Sequence, residues 1–213
     1  MTVETLHAKD ILTTISKTAS DMGADVRPYE SAEQIVNLSP EKVKGLINQI
    51  GIYDDILKET KSKDPKSLDK EMLEKAFEKL GLTPADDIGP YVNGQDIVEI
   101  YTPEGTQLYR NLVFLKYCSY DLASLYTVPH QELYGRNENM LGEIGAVFQK
   151  AFTAEKIVPF NMEPHLIWET YLHNRKRFQI DLKIACPLKD SEGNTKAILT
   201  TNHCTEFKIH QVN

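Results

Sequence analysis

The sequence predicts an α+β fold, in which an N-terminal helical segment precedes a five-stranded antiparallel sheet covered by short helices. Apolar residues recur every three or four positions as far as residue 81, which is the spacing of helices with one buried face. From residue 95 onward, two short alternating runs, a helical stretch and three further alternating runs follow one another. The character changes near Gly89-Pro90. We therefore expect a helical region over residues 1–90 and a second unit over residues 95–210.

The helical region contains three clear helices by spacing and capping. The first ends at Gly23, and its apolar stripe includes Ile11, Leu12, Ile15 and Ala19. Ser39-Pro40 begins the next helix, because a serine side chain accepts from free backbone N–H groups and a proline lacks a donor that would be unpaired there. Ser67 begins a further helix, which ends at Gly81. This region is expected to act as a cap or dimerisation element, with a homodimer formed through the first helix.

The second unit begins with a β-hairpin. Residues 96–101 and 106–110 are short β-rich runs, and the sequence Thr-Pro-Glu-Gly between them is typical of a turn. Helices are predicted over 112–126 and 141–152. Alternating strands follow over 164–172, 178–186 and 196–207, with turns at 173–176 and 190–194. The helices must then cover one face of a five-stranded sheet.

Composition restricts the partners and the compartment. Lys and Arg number 24 against 31 Asp and Glu, a formal charge of −7 that repels a phosphate backbone, so no nucleic acid partner is expected. The three cysteines include no CxxC pair, which fits a reducing compartment better than a disulfide framework. No run approaches 18 consecutive apolar residues. We expect a cytoplasmic protein with no membrane contact.

Four segments resemble a PAS domain. The run IVEIYTPEGTQLYRN over residues 97–111 is similar to the opening hairpin of that family, with the Asn that starts its first helix. The run YCSYDLASL over 117–125, the hairpin KDSEGN over 189–194 and the run NHCTEFK over 202–208 resemble later segments in the same order. The resemblance covers residues 95–210. It implies a sensory unit that holds a small molecule, haem or flavin between sheet and helices, or a dimerisation surface.

The resemblance does not identify a cofactor. Residues 135–141 are similar to the motif of flavin photoreceptors, but Glu138 occupies the position of the reactive cysteine, so light-driven adduct chemistry is not expected. The helix over 141–152 contains no histidine to ligate a haem, which would then need His165, His173 or His203. The cofactor is left open.

A ligand pocket is expected between the sheet and the helices. Aromatic rings would form its walls, while Thr170, Thr201 and His203 would orient a small ligand. Thr201 and His203 share one strand face by the two-residue period. The expected pocket residues are Phe114, Tyr117, Phe148, Phe152, Trp168, Thr170, Phe178, Thr201 and His203.

These observations favour a non-catalytic sensor or adaptor that binds a small molecule or a signalling protein. No phosphate-binding glycine motif and no nucleophile with a neighbouring base pattern is present, so no enzymatic activity is expected. Only residues 208–213 follow the last strand, so a signal is expected to pass through protein contacts. Two alternatives stay open: a small enzyme, metalloprotein or haem sensor using His165, His173 or His203 with Cys204, and a purely structural dimerisation module.

Overall fold

The computed structural model describes residues 2–62, 64–170 and 174–211. Its N-terminal helices are α1 (Val3–Asp21), α2 (Glu33–Val36), α3 (Pro40–Glu59) and α4 (Pro65–Leu80). Ser39 caps α3 as predicted, its hydroxyl oxygen accepting from the Lys42 N–H at 3.4 Å. The last of these helices begins earlier than predicted, because the Asp64 carboxylate accepts from the Ser67 N–H at 3.0 Å and so caps the first turn itself.

Helix α1 packs against α3 within the same chain. Leu12, Ile15 and Ala19 of the predicted stripe are completely buried, and Ile11 packs against the same core. Burial of these apolar side chains accounts for the helical periodicity seen in the sequence. The stripe is therefore not available as a surface for a second copy of the chain.

The second half of the chain forms one antiparallel sheet and a set of short helices. Its strands are β1 (Thr83–Pro84), β2 (Ile97–Tyr101), β3 (Gln107–Arg110), β4 (Tyr134–Gly135), β5 (Val158–Pro159), β6 (His165–Glu169), β7 (Asn174–Lys189) and β8 (Thr195–Gln211). Its helices are α5 (Leu112–Tyr117), α6 (Leu122–Thr127), α7 (His130–Leu133) and α8 (Glu138–Thr153), and a 3-10 turn spans Gly89–Tyr91. The spatial order is β3-β2-β8-β7-β6-β4, while β1 and β5 each pair with β7. This confirms the α+β class with a curled antiparallel sheet.

The sheet differs from the prediction in the number of its strands. Within the described ranges it has eight strands instead of five. The additional strands, β1, β4 and β5, have two residues each, which is too short to produce an alternating pattern. The turn predicted at 173–176 is also wrong for Asn174 to Lys176, which belong to β7, while His173 lies outside the described residues.

The single helix predicted over 112–126 is two helices. The chain leaves α5 at Cys118, and the Asp121 carboxylate then accepts from the Ser124 N–H at 2.9 Å to cap α6. Asp121 favours the start of a new helix because its side chain binds the backbone of the following turn. The spacing of apolar residues alone does not reveal this break between the two helices. Among the described helices, none combines the length and apolar character needed to cross a lipid bilayer.

Both faces of the sheet contribute to one continuous core. Val98 and Ile100 of β2 are completely buried, and they belong to the same core as Met72 and Ala76 of α4. The rings of Tyr53 on α3 and Tyr109 on β3 lie 6.3 Å apart. The helices of residues 1–90 therefore share a core with the sheet and do not form a separate one.

A buried amide joins α4 to the start of the sheet. The Asn111 side chain donates to Asp69 Oδ1 at 2.7 Å and to the Asp96 backbone carbonyl at 2.8 Å. It also accepts from the Val98 N–H at 3.1 Å. The other oxygen of Asp69 has no hydrogen-bond partner among the described residues, and burial raises the pKa of this carboxyl to about 6.

This junction predicts a pH-dependent effect of Asp69→Asn. The folded pKa lies above the unfolded one, so the ionised carboxylate lowers the stability of the wild type progressively as the pH rises from about 4 through about 6. An asparagine keeps the acceptor for Asn111 and carries no charge. The stability of the variant relative to wild type should therefore increase between pH 4.5 and 7.5, by about 2 kcal/mol.

Urea unfolding at several pH values measures this difference. The Asp10→Asn variant, in which an exposed carboxylate of α1 is removed, provides the matched control. A stability difference between Asp69→Asn and wild type that stays constant over this pH range would contradict the assignment.

Candidate functional site

A cavity of about 260 Å³ lies between the sheet and its short helices. We call the sheet surface that lines it the cavity face; it consists of Ile97, Glu99 and Tyr101 of β2, Phe178, Ile180 and Leu182 of β7, and Thr200, Asn202 and Cys204 of β8. Leu141, Ile144, Gly145 and Phe148 of α8 form the opposite wall. Most lining side chains are apolar. The cavity reaches the surface, because Leu141 is 49% exposed.

A buried carboxylate occupies the polar part of the cavity face. Glu99 is 5% exposed, and its Oε1 accepts from the Tyr101 hydroxyl at 2.6 Å and from Gln107 Nε2 at 2.6 Å. Its Oε2 accepts from Asn202 Nδ2 at 2.8 Å. Burial raises the pKa of Glu99, and the hydrogen bond from Tyr101 acts in the opposite direction. Donors from β2, β3 and β8 thus replace the water that this carboxylate loses on folding.

His130 of α7 extends this hydrogen-bond network. Its Nε2 lies 3.1 Å from the Tyr101 hydroxyl oxygen. Because the tyrosine donates its single hydroxyl proton to Glu99, Nε2 must be the donor, which makes Nδ1 an acceptor. That Nδ1 is buried and has no partner among the residues that the structure describes. Burial, together with Arg136 and Arg110, lowers the pKa of His130 to about 3, so the ring is neutral at physiological pH.

Two guanidinium groups lie near the Glu99 carboxylate. Arg136, directly after β4, lines the cavity, and burial lowers its pKa. It makes no salt bridge with any residue in the described part of the chain. Arg110 lies opposite Glu99 in the β2–β3 ladder and is 1% exposed. It donates to the Leu125 carbonyl at 3.1 Å and lies over the Tyr126 ring, 4.6 Å from its centre.

Four of the nine expected pocket residues line the cavity. These are Phe114, Tyr117, Phe148 and Phe178. The structure places Phe152, Trp168, Thr170, Thr201 and His203 outside it. Four of the six expected aromatic residues therefore line the cavity, whereas none of the three expected polar residues does.

Thr201 and His203 share a face, but it is the face opposite the cavity. Thr200, Asn202 and Cys204 occupy the cavity side of β8 instead. The alternation of a strand shows which residues share a face, but a strand buried on both sides does not show which face meets the cavity. His203 Nδ1 lies 2.8 Å from Asp96 Oδ1, in a cluster in which Asp96 is buried while His203 and Lys183 are partly exposed.

The other three residues have structural contacts elsewhere. The Trp168 ring packs against Gly135, so close that a Cβ there would lie 2.3 Å from Trp168 Nε1. The Thr170 N–H donates to the Tyr120 hydroxyl at 2.9 Å, and its own hydroxyl donates to the Glu132 carbonyl. Phe152 is partly buried against the core at the end of α8.

Sequence reasoning missed Glu99, His130, Arg136 and Asn202. A signal for Glu99 was present, because a charged residue within the run IVEIY is unusual for a strand buried on both faces. Asn202 had no such signal, because its neighbours Thr201 and His203 are polar as well. Nothing in the local pattern of His130 or Arg136 indicates that their loops carry them to the same cavity.

The thiols and histidines were the candidate metal ligands of the sequence. Cys118 and Cys204 line the cavity, but burial raises the pKa of Cys118 to about 12 and that of Cys204 to about 11, which keeps both thiols protonated. No group of three or more His, Cys, Asp or Glu side chains in the described ranges could hold a metal ion. His173, which the metal alternative included, lies outside these ranges.

Comparison with known proteins gives no relative from which a function could be transferred. No protein-family model matches the chain, and no curated protein matches its sequence. The functional interpretation therefore depends on the cavity and its polar groups.

The contact between Gly135 and Trp168 predicts opposite effects for two glycine substitutions. Gly135→Ala should displace the Trp168 ring and lower the free energy of unfolding by about 1–3 kcal/mol. Gly142→Ala lies in the middle of α8 with open space around its Cβ position, and should raise that free energy by about 0.5–1 kcal/mol through higher helix propensity. Urea unfolding gives both values, and the emission of Trp168, the single tryptophan, reports its displacement.

The same change in stability for both variants, with unchanged tryptophan emission, would contradict this packing. The matched pair separates the contact with Trp168 from the general effect of adding a methyl group to a glycine.

Proposed function

We propose that this chain is a non-catalytic sensory or adaptor protein, whose PAS-like unit binds a small organic molecule and signals through protein contacts. The observation that carries the proposal is the cavity itself, which combines apolar walls with a few buried polar atoms that lack partners among the described residues. Apolar walls with a small number of placed polar groups are typical of sites for small ligands.

The arrangement of the sheet supports the PAS-like interpretation. The hairpin of β2 and β3 and the strands β6, β7 and β8 lie in one antiparallel sheet, with α5, α7 and α8 against the cavity face. The resemblance in the sequence implies such a layout, with one face of a curved sheet covered by short helices. The three two-residue strands extend this layout and leave the five longer strands adjacent.

The size of the cavity limits the ligand. An engineered cavity of about 150 Å³ holds benzene, with its six carbon atoms. By proportion, 260 Å³ accommodates about ten non-hydrogen atoms. A haem or a flavin ring system is far larger, so we propose a metabolite-sized molecule in place of either cofactor.

Helix α8 is the element through which binding of a ligand in the cavity would change the protein surface. Only Ala151 of this helix is fully buried, although Leu141, Ile144 and Phe148 face the cavity. The helix also contains Gly142 and Gly145, which weaken it by about 1 kcal/mol each relative to alanine. A ligand beneath α8 would bind one position of the helix more tightly than another. Its binding would therefore shift the population of α8 toward that position, to the extent that the two affinities differ.

The alternatives are less well supported. A purely structural module is expected to have a solidly packed interior, whereas this chain contains a cavity of about 260 Å³. A metalloprotein would need a set of metal ligands that the described residues do not contain. The homodimer stays a prediction, but its surface must be one other than the stripe of Leu12, Ile15 and Ala19. The cytoplasmic location and the signalling partner also stay predictions.

Binding of small neutral aromatics tests the proposal. Indole or 4-methylphenol in excess should raise the midpoint of thermal unfolding of the wild type, by several degrees at about one hundred times the dissociation constant. Gly145→Leu places a side chain at a cavity-lining position where a Cβ meets no atom within 4 Å, and it should abolish this rise. Ala146→Leu, on the next residue and exposed outside the cavity, is the matched control and should keep it.

Isothermal titration calorimetry checks the same binding directly. No binding of either aromatic to wild type, or equal binding to Gly145→Leu and Ala146→Leu, would contradict a ligand site in this cavity.

A further inference from the structure

We infer that the cavity selects a small organic acid: a molecule with an apolar body, a carboxylate that meets Arg136, and a hydroxyl or N–H group that meets Asn202 or His130. The inference rests on the proposed function and specifies its ligand class. Its observations are a cavity-lining guanidinium without an ion pair and, on two cavity-lining side chains, two buried acceptor atoms without donors, all among described residues.

The charges around the cavity leave a positive excess. Arg110 and Arg136 both lie close enough to influence Glu99, which is the acidic side chain lining the described cavity. Neither guanidinium is within salt-bridge distance of that carboxylate. Glu169 is also buried, but it accepts from the Ser119 N–H at 2.7 Å and the Lys176 N–H at 3.2 Å and does not line the cavity. A partly buried cation without a counterion is unfavourable, so an anionic ligand would be favoured at Arg136.

Glu99 does not provide a site for a ligand cation. Three side-chain N–H or O–H groups already donate to its two oxygens. An ammonium group would compete with these bonds and would lie in the field of Arg110 and Arg136. The arrangement therefore disfavours amines.

The unpartnered acceptors define the second polar group of the ligand. Asn202 is 2% exposed and lines the cavity; its Nδ2 donates to Glu99, while its Oδ1 has no partner among the described residues. The Nδ1 atom of His130 is a second buried acceptor without a partner among the described residues. Leaving a buried acceptor without a donor costs about 1–3 kcal/mol, which a hydroxyl or N–H group of the ligand would recover.

A matched series of phenylacetic compounds tests the class directly by calorimetry. 4-Hydroxyphenylacetate carries the acid, the ring and the hydroxyl. It should bind wild type at least tenfold more tightly than 4-hydroxyphenylacetamide, which has the same shape without the charge. Phenylacetate, which lacks the hydroxyl, should bind about five- to tenfold more weakly than 4-hydroxyphenylacetate. Tyramine, the amine of similar size, should bind more weakly than the amide.

Variants assign the charge preference to Arg136. Arg136→Gln should reduce the preference for acid over amide to less than twofold. Arg136→Lys keeps the charge and should retain part of the preference for acid over amide. It provides the test if Arg136→Gln does not fold. Arg177→Gln removes an exposed arginine of β7 and should leave the preference unchanged.

The outcomes separate this inference from the proposed function. Binding of 4-methylphenol with no preference for acid over amide would overturn the organic-acid class and leave the cavity as a ligand site. A preference for the acid that persists in Arg136→Gln would also overturn the assignment. Failure of every compound, 4-methylphenol included, would overturn both proposals.

Discussion

A carboxylate buried in the face of a sheet must receive from the protein the hydrogen bonds that water gave it, and Glu99 imposes this constraint here. Tyr101, Gln107 and Asn202 meet it from three neighbouring strands. These donors fix the polar groups in the middle of the cavity face and so prevent an apolar core from closing over it. The space that results, with His130 and Arg136 at its wall, is the site on which both proposals depend.

The two faces of the sheet differ in their contacts, although β7 over residues 184–188 and β8 over residues 197–202 are buried on both sides. A register shift between Leu182 and Ile184 reverses which face the following residues of β7 occupy, so that Ile184 pairs with Thr201 on the face opposite the cavity. On that opposite face, Lys183 and His203 both contact the buried Asp96 carboxylate, close to the Asp69–Asn111 junction. The cavity face carries the proposed ligand site, whereas the opposite face joins the sheet to the N-terminal helices.

Much of the fold could be predicted because its determinants are local. The β2–β3 hairpin follows from turn residues between two β-rich runs, and Asn111 begins α5 as its position suggested. The strands β1, β4 and β5 could not be predicted, since they are defined by pairing across the sheet and not by their own residues. The site was predicted only in its aromatic walls. Period-two reasoning grouped Thr201 with His203 correctly, but the face they occupy depends on long-range packing.

Intermolecular NMR contacts with bound indole would test the central claim most directly, because they locate the ligand on one face of the sheet. The account predicts nuclear Overhauser effects from indole to the side chains of Ile144, Phe178 and Ile180, which line the cavity. Effects confined to Val113, Lys116 and Thr205, in the neighbouring groove beside His203, would contradict it.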